Sequence, residues 1–452
     1  MTGPAGFIPP YPPRPVDRLP MFETMRRFRR SMLEVWRARH FEDPFFVTKF
    51  FRRQVAVCNS PEIVREAFID LAGPLERKSP QMRQALRPLL GDGLFISEGA
   101  LWRARRRAVA PVTHASRMPA LAPVMTEVAA EFATRWQALP DGAEIDVLAE
   151  MAEMTAEVIG RTLFGREVGQ RAALTVVDAF SAYQAHVGQT SLASMAGLPD
   201  WLPGLPKPRL LLASWRIRRV LDGLIAAALA QAGGAEASLV RAMQDGQVMS
   251  RAALRNEAAT LFMAGHETTA NTLAWAWYLL SQVPEAAARV TAEARSALGG
   301  RPAGLGDLRS LRFTQAVIEE TLRLYPPVPV LAREATTEIT LAGRRLPRGT
   351  LVLVVPWLLH RNPKLWPEPD TFRPERFLEG TPPRYGYIPF SIGPRVCSGQ
   401  QFGLTEAVLC LATLAQHVRL ELRPGHVVEP VSRLTLRPGA TLPMQVYQRD
   451  AA

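Results

Sequence analysis

Cysteine is scarce in this chain: its 452 residues contain three, Cys58, Cys397 and Cys410. An odd count this low gives no disulfide framework and cannot supply a four-cysteine iron–sulfur cluster. A reducing, cytoplasmic setting fits. Acidic residues are also in deficit, 42 Asp and Glu against 54 Lys and Arg, for a formal charge of +12. That balance favours anionic partners such as a membrane surface or an acidic protein. Nucleic acid is not expected, because no basic stripe accompanies a reading motif. No basic region followed by an apolar run marks a signal peptide. No stretch of about 18 uninterrupted apolar residues predicts a membrane span. Repeats and flexible linkers are missing too, while 47% of residues are hydrophobic, ample for one large core. The expectation is a mainly α chain with a minor β component: a proline-rich segment over 1–20, then one domain over 21–452.

What is present falls into separate stretches. Pro9, Pro10, Pro12, Pro13, Pro15 and Pro20 predict an extended leading segment. Residues 21–40 set six arginines around Met25, Phe28, Met32 and Trp36, a basic amphipathic helix. Its plain reading is a solvated face and its sharper one a peripheral membrane contact. Phe and Val over 45–58 predict two paired strands, and Ser60-Pro61-Glu62 opens a helix with a capping serine and proline at its first position. Residues 121–235 read as successive helices, one of them periodic over 147–164 and stopped by Gly165. The stretch 189–208 is apolar yet full of Pro and Gly, which suits a helix connection, a lid over a greasy pocket or a membrane-facing rim.

Four motifs carry the chemistry. Trp102 and Arg106 are four apart, on one helical face. The longest apolar helical segment, 256–283, is interrupted by Ala264-Gly265-His266-Glu267-Thr268-Thr269. A mid-helix Gly costs roughly 1 kcal/mol relative to Ala, and a buried Glu is rare unless paired, so two costly choices side by side mark a site. A zinc protease is excluded, since His266-Glu267 would need a histidine at position 270 and Ala270 stands there. Glu320 and Arg323 share a face three apart, and Arg376 follows in a proline-rich stretch. Last comes Phe390-Ser-Ile-Gly-Pro-Arg-Val-Cys397-Ser-Gly399, a glycine-punctuated loop that can shield a thiolate ahead of a long apolar helix. His114, His266, His360 and His417 have no comparable surroundings.

In this order, the motifs resemble those of the cytochrome P-450 family of haem-thiolate monooxygenases, soluble bacterial type, over residues 45 to the end. The loop matches the family pattern Phe-x-x-Gly-x-Arg-x-Cys-x-Gly at every fixed position. The resemblance implies the single-domain fold of that family, with haem b (iron protoporphyrin IX) between a long distal helix and the cysteine loop. It implies that Cys397 ligates the iron, with Phe390 beside it. Gly393 and Gly399 let the loop approach the porphyrin, and Gly265 lets the distal helix cross it. Trp102, Arg106, Arg333 and Arg395 correspond to partners of the haem propionates, and Glu320, Arg323 and Arg376 to a buried structural triad. Glu267 and Thr268 match the catalytic acid–alcohol pair that handles protons for dioxygen.

The implied function is insertion of one atom of dioxygen into a small apolar substrate: a terpenoid, fatty acyl or polycyclic compound. Electrons come from NAD(P)H through a separate ferredoxin or flavodoxin with its reductase, and the chain is expected to be a monomer. Pocket segments are expected at 79–99, 179–211, 261–268, 328–333 and 434–441, with Ala264, Val328, Val330 and Leu331 lining the pocket. The alternatives are a haem-thiolate peroxygenase, a dehydratase or isomerase, or a non-catalytic haem sensor. The first three tend to lack the acid–alcohol pair, and a sensor needs no proton relay.

Overall fold

The computed structural model of the chain describes residues 6–50, 53–166, 180, 183, 208–231, 238–246, 249–432 and 434–449. Of the expected basic helix, α1 (Met21–Arg30) forms only the first half. At Ser31 the backbone turns extended and the serine hydroxyl accepts the Leu33 N–H, a local alternative to the helix ladder. Two short 3-10 turns then carry Trp36 and His40 into the interior.

The strands predicted over 45–58 form as β1 (Phe45–Phe50) and β2 (Arg53–Cys58), antiparallel with Phe45 opposite Cys58. Ser60 caps α2 (Pro61–Arg65) by accepting the Ile63 N–H. Beyond it β3 (Arg77–Lys78), β5 (Leu331–Glu334) and β8 (Leu351–Val354) complete a sheet in the order β1-β2-β8-β5-β3. Between β3 and β5 in sequence lie α3 (Pro80–Leu90), α4 (Gly99–Val109), α5 (Met118–Gln137), β4 (Ala143–Asp146) and α6 (Val147–Phe164). The last ends at Gly165, as its periodicity predicts. β4 breaks the expected run of helices. It is four residues long and its partner is the far end of the chain, so local pattern does not reveal it. Asp146 secures the junction by accepting N–H groups from both Leu148 and Leu442.

Next come α7 (Pro208–Ala230), α8 (Leu239–Gly246), α9 (Arg251–Gln282), α10 (Pro284–Leu298) and α11 (Arg312–Leu324). After the hairpin β6–β7 (Ile339–Leu341, Arg344–Leu346) and β8 follow α12 (Gln400–Ala415), β9 (Val418–Leu422), the hairpin β10–β11 (Val431–Ser432, Leu436–Arg437) and β12 (Pro443–Gln448). β12 lies between β4 and β9. α9 is apolar on nearly every side, which commits it to the interior; it packs on α6, α11 and α12. Among the described residues no helix is long and apolar enough to cross a membrane. The stretch 189–207 lies outside the described residues, so its expected roles stand as expectations.

Behind α11 a charge network is complete. The Arg323 Nε and Nη2 donate to both Glu320 oxygens at 2.7 and 2.8 Å, and its remaining donors reach the carbonyls of His360, Pro369 and Thr371. Arg376 Nε adds a bond to Glu320 at 3.2 Å, and the Arg373 N–H another at 2.8 Å. Glu320 and Arg323 are both fully buried. The leading segment lies over this region: Tyr325 Oη donates to the Pro10 carbonyl at 2.7 Å, Arg14 pairs with Asp370, and the Tyr325 ring stacks on Trp275 at 3.6 Å. A buried pair that loses one member strands the other's charge at a cost of about 3–5 kcal/mol. Glu320→Ala should therefore cost that much in urea unfolding, far more than an exposed pair such as Arg345–Glu338.

Candidate functional site

The cysteine loop is closed by its own backbone. The Cys397 N–H donates to the Phe390 carbonyl at 2.9 Å and the Val396 N–H to Gly393 at 3.0 Å. Gly393 has φ +72 and a Cβ there would lie 2.1 Å from the Phe68 carbonyl oxygen. The glycine is thus required at least by a backbone approach from the segment after α2. Gly399 would meet nothing with a Cβ, and its N–H favours the thiolate form of the cysteine. Phe390 is half-buried against the main core. Cys397 itself is solvent-accessible but recessed. Burial raises its thiol above the ordinary value, while the Gly399 N–H, Arg106 and Lys78 pull it down, the influences that make a thiolate available.

Cations surround this loop. Trp102 and Arg106 stand on α4, with Arg106 Nη1 donating to the Val396 carbonyl at 3.0 Å. The Arg395 guanidinium lies 4.3 Å over the Trp102 ring and donates to the Ser97 carbonyl at 2.6 Å. Arg333 on β5 is 2% exposed and lies over Phe68 at 4.9 Å. Opposite it in register on β3 is Lys78, its ammonium 4.6 Å from the Phe95 ring. Burial depresses their pKa values, Arg333 to about 9, Arg395 to about 10 and Lys78 well below its usual range; repulsion by Arg395 adds to this at Arg333 and Lys78, whereas Glu76 opposes it at Arg395. The nearby Glu334 is taken by Arg53, Arg77 and Arg83. Among the described residues the ion pair of the set is Arg395 with Glu76 at 3.4 Å. Buried and partly buried cations in such excess are costly unless an anion completes them. Two carboxylates on an apolar plate would complete them, and the fit to haem propionates is good. Lys78 escaped sequence reasoning because a two-residue strand has no periodicity; a lysine just ahead of the capping Ser79 was the one visible signal.

On α9, Leu261, Ala264, Gly265 and Thr268 form the one accessible stripe between buried neighbours on that stretch, at helical spacing. Thr268 Oγ1 donates to the Ala264 carbonyl at 2.7 Å. The turn after it packs on the helix that the cysteine loop opens: a Cβ on Gly403 of α12 would lie 3.6 Å from Thr269 Oγ1. Gly265 has a second duty, since a Cβ there would come within 3.0 Å of Ile159 on α6. Glu267 is turned off the stripe. Its carboxylate accepts from Thr435 Oγ1 at 2.5 Å and from Arg437 Nε and Nη2 at 3.0 and 2.5 Å, while Asn271 braces Thr435 at 3.1 Å. Thr435 and Arg437 were missed as partners because the hairpin is far away in sequence; the alternation Leu434-Thr-Leu-Arg437 was the available sign that both point one way. His266 is buried, which pushes it to about 4 and keeps it neutral; it stacks on Phe262 at 5.8 Å. No group of three or more His, Cys, Asp or Glu among the described residues is arranged for a metal.

The four expected lining residues divide. Ala264 is exposed and Val330 is partly buried against the main core, whereas Leu331, 8% exposed, belongs to the core under the sheet and the partly buried Val328 packs against that same core. Strand alternation puts Leu331 on the opposite face from Val330. Of 179–211, the described residues are Phe180, which meets Phe262 at 5.3 Å, Tyr183, which donates to the Ala85 carbonyl, and 208–211.

Two outcomes follow from this geometry. Gly393→Ala adds a left-handed backbone penalty of about 1–2 kcal/mol to the clash with Phe68, so it should lower the melting temperature sharply. Glu257 on α9 accepts the Leu94 N–H at 3.0 Å, and burial pushes it to about 7. The fold then holds a proton that the unfolded carboxyl releases near 4.3, so its stability contribution is full below that value and lost as pH rises toward 7. Glu257→Gln should gain on the parent protein between pH 5 and pH 8 in urea unfolding.

The sequence model of the family described as Cytochrome P450 matches residues 12–446. Cyclooctatin synthase of Streptomyces melanosporofaciens is 35% identical over 396 residues, covering 84% of this chain and 83% of its own. Cyclooctat-9-en-7-ol 5-monooxygenase of the same organism is 32% identical, covering 81% and 80%. Putative cytochrome P450 132 of Mycobacterium bovis is 33% identical, covering 78% and 79%.

Proposed function

The chain belongs to the cytochrome P450 family of oxygen-incorporating oxidoreductases, and on that premise we propose that it oxidises an apolar polycyclic terpenoid at a haem ligated by Cys397. The observation that carries the reading is the set of cations, Arg333 buried and Lys78, Arg106 and Arg395 partly buried, around an accessible thiol. Lys78, Arg333, Arg395, Arg106 and the Trp102 ring would hold the propionates, and the Gly399 N–H would temper the sulfur. When bound, a thiolate-ligated haem supplies dioxygen activation. The terpenoid class is supported by the names of the two Streptomyces relatives and by the apolar surroundings of the stripe.

The chain's own part is to exclude water, orient the substrate and move protons. Val328, Val330 and Ala264 would press the substrate toward the stripe. Thr268 would present its hydroxyl there once it leaves the Ala264 carbonyl. Glu267 would bring protons from outside, because Arg437, which holds it, has a side chain 38% exposed. Rotation of the carboxylate from Arg437 toward Thr268 would complete that path. Electrons would arrive from NAD(P)H by way of a ferredoxin or flavodoxin, for which the exposed Arg103 and Arg107 of α4 offer a basic docking face.

The reduced, CO-bound protein should show the thiolate-shifted Soret band; without it the haem-thiolate assignment of Cys397 fails. A polycyclic terpenoid should shift the ferric spectrum from low to high spin where a sugar does not. Thr268→Ala should cut product formed per NAD(P)H by on the order of 10²-fold, with peroxide making up the difference. Arg437→Ala should slow product formation and enlarge the solvent isotope effect. Coupling unchanged in Thr268→Ala would refute the relay.

A further inference from the structure

No helix or strand spans residues 91–98, between α3 and α4, yet this segment carries carbonyls that hold Arg395. Arg395 Nη2 donates to Ser97 at 2.6 Å and Nη1 to Leu94 at 3.4 Å. A loop can fix a guanidinium only if something fixes the loop. Glu257 of α9 does so. It is completely buried, and the Leu94 N–H donates to both of its carboxyl oxygens at 3.0 Å. Arg105 of α4 approaches the same carboxyl at 3.4 Å. Asp92, two residues earlier, accepts from Asn256 Nδ2 at 2.7 Å and from Arg105 Nη2 at 2.9 Å. The flanking glycines let the turn lie directly on the helix. A Cβ on Gly91 would collide with the Asn256 amide, and one on Gly93 with Thr260 Oγ1 and the Asn256 carbonyl. Beyond this anchor the turn closes on itself: the Ile96 and Ser97 N–H groups donate to the Gly93 carbonyl at 3.2 and 3.0 Å. A displacement at Leu94 therefore reaches Ser97, and with it Arg395.

We infer that Glu257 is a positioning residue for the site: by pegging Leu94 to α9 it sets where Arg395 presents its guanidinium to the haem propionates. The inference rests on the reading of Cys397 as the haem ligand. Glu257 is enclosed, so its influence passes through the turn alone. Burying a carboxyl is a costly way to pack a helix, and costly choices gather where a site needs them. An apolar side chain of similar size would leave the Leu94 N–H buried and unpaired, and the turn would lift from α9. Glu76 secures the far end of the segment, accepting the Gly99 N–H at 2.9 Å and pairing with Arg395. Glu257 governs the near end.

The test is a double-mutant cycle on the haem-loaded, full-length protein, read as the rate at which ferric haem passes to excess apomyoglobin. Glu257→Leu should speed that transfer roughly tenfold, the worth of one lost hydrogen bond to a charged group. Arg395→Ala should speed it as well. The two together should be no faster than Arg395→Ala alone, because the first change acts through the second residue. Glu257→Gln keeps an acceptor for Leu94 and should restore a rate close to the parent's. If Glu257→Leu does not fold, Gly93→Ala lifts the same turn off Thr260 and takes its place in the cycle. Accelerations that multiply in the double variant overturn the inference and leave the haem assignment standing, as does equal acceleration by Glu257→Gln and Glu257→Leu. A parent protein without the thiolate-shifted Soret band in its reduced, CO-bound form overturns the reading of Cys397 and the inference with it.

Discussion

Same-sign charge gathered under burial governs this molecule. Lys78, Arg333, Arg395 and Arg106 converge on the cysteine loop from β3, β5, the loop itself and α4. Each is displaced from its ordinary pKa by loss of water. No element could hold its own cation there alone. The sheet order β1-β2-β8-β5-β3 puts β3 beside β5, so Lys78 and Arg333 face each other across one ladder. Arg395 is fixed by the Ser97 carbonyl and by Trp102. The fold thereby holds cations in an unfavourable setting that a dianionic ligand would relieve, so that binding would also stabilise the folded state.

That stored cost is offset elsewhere. Glu320, Arg323 and Arg376 form a buried network in which nearly every donor and acceptor is matched, and the leading segment is tied over it through Tyr325 and Arg14. The contrast is instructive. Two clusters of arginine lie in one fold; one is complete within the chain and serves as scaffold, the other has one ion pair among the described residues, Arg395 with Glu76, and is the proposed site.

Much of this was legible in the sequence. The Cys397 loop, Val147–Phe164 and its stop at Gly165, the paired strands before Ser60 and the long distal helix all announce themselves by local chemistry. What was not legible depends on distant partners. β4 exists because β12 pairs with it. Lys78 matters because Arg333 lies opposite. Glu267 is oriented by Thr435 and Arg437, and Leu331 is set apart from Val330 only by which sheet face each takes. The helix expected over 21–40 failed locally: Ser31 bonds to its own neighbourhood and redirects the chain inward. Gly265 and Gly393 are informative in another way. Sequence marked both as special, and the fold adds a reason that lies far away in the chain: a Cβ would meet Ile159 at one and the Phe68 carbonyl at the other.

The position of Arg437 has a consequence for biogenesis. Synthesis delivers Glu267 early, the cysteine loop later and the β10–β11 hairpin almost last. Until that hairpin leaves the ribosome, Glu267 is a carboxylate on an apolar helix without its guanidinium. A chain cut short before residue 431 would therefore retain the cysteine loop but lack Thr435 and Arg437, the groups that orient Glu267.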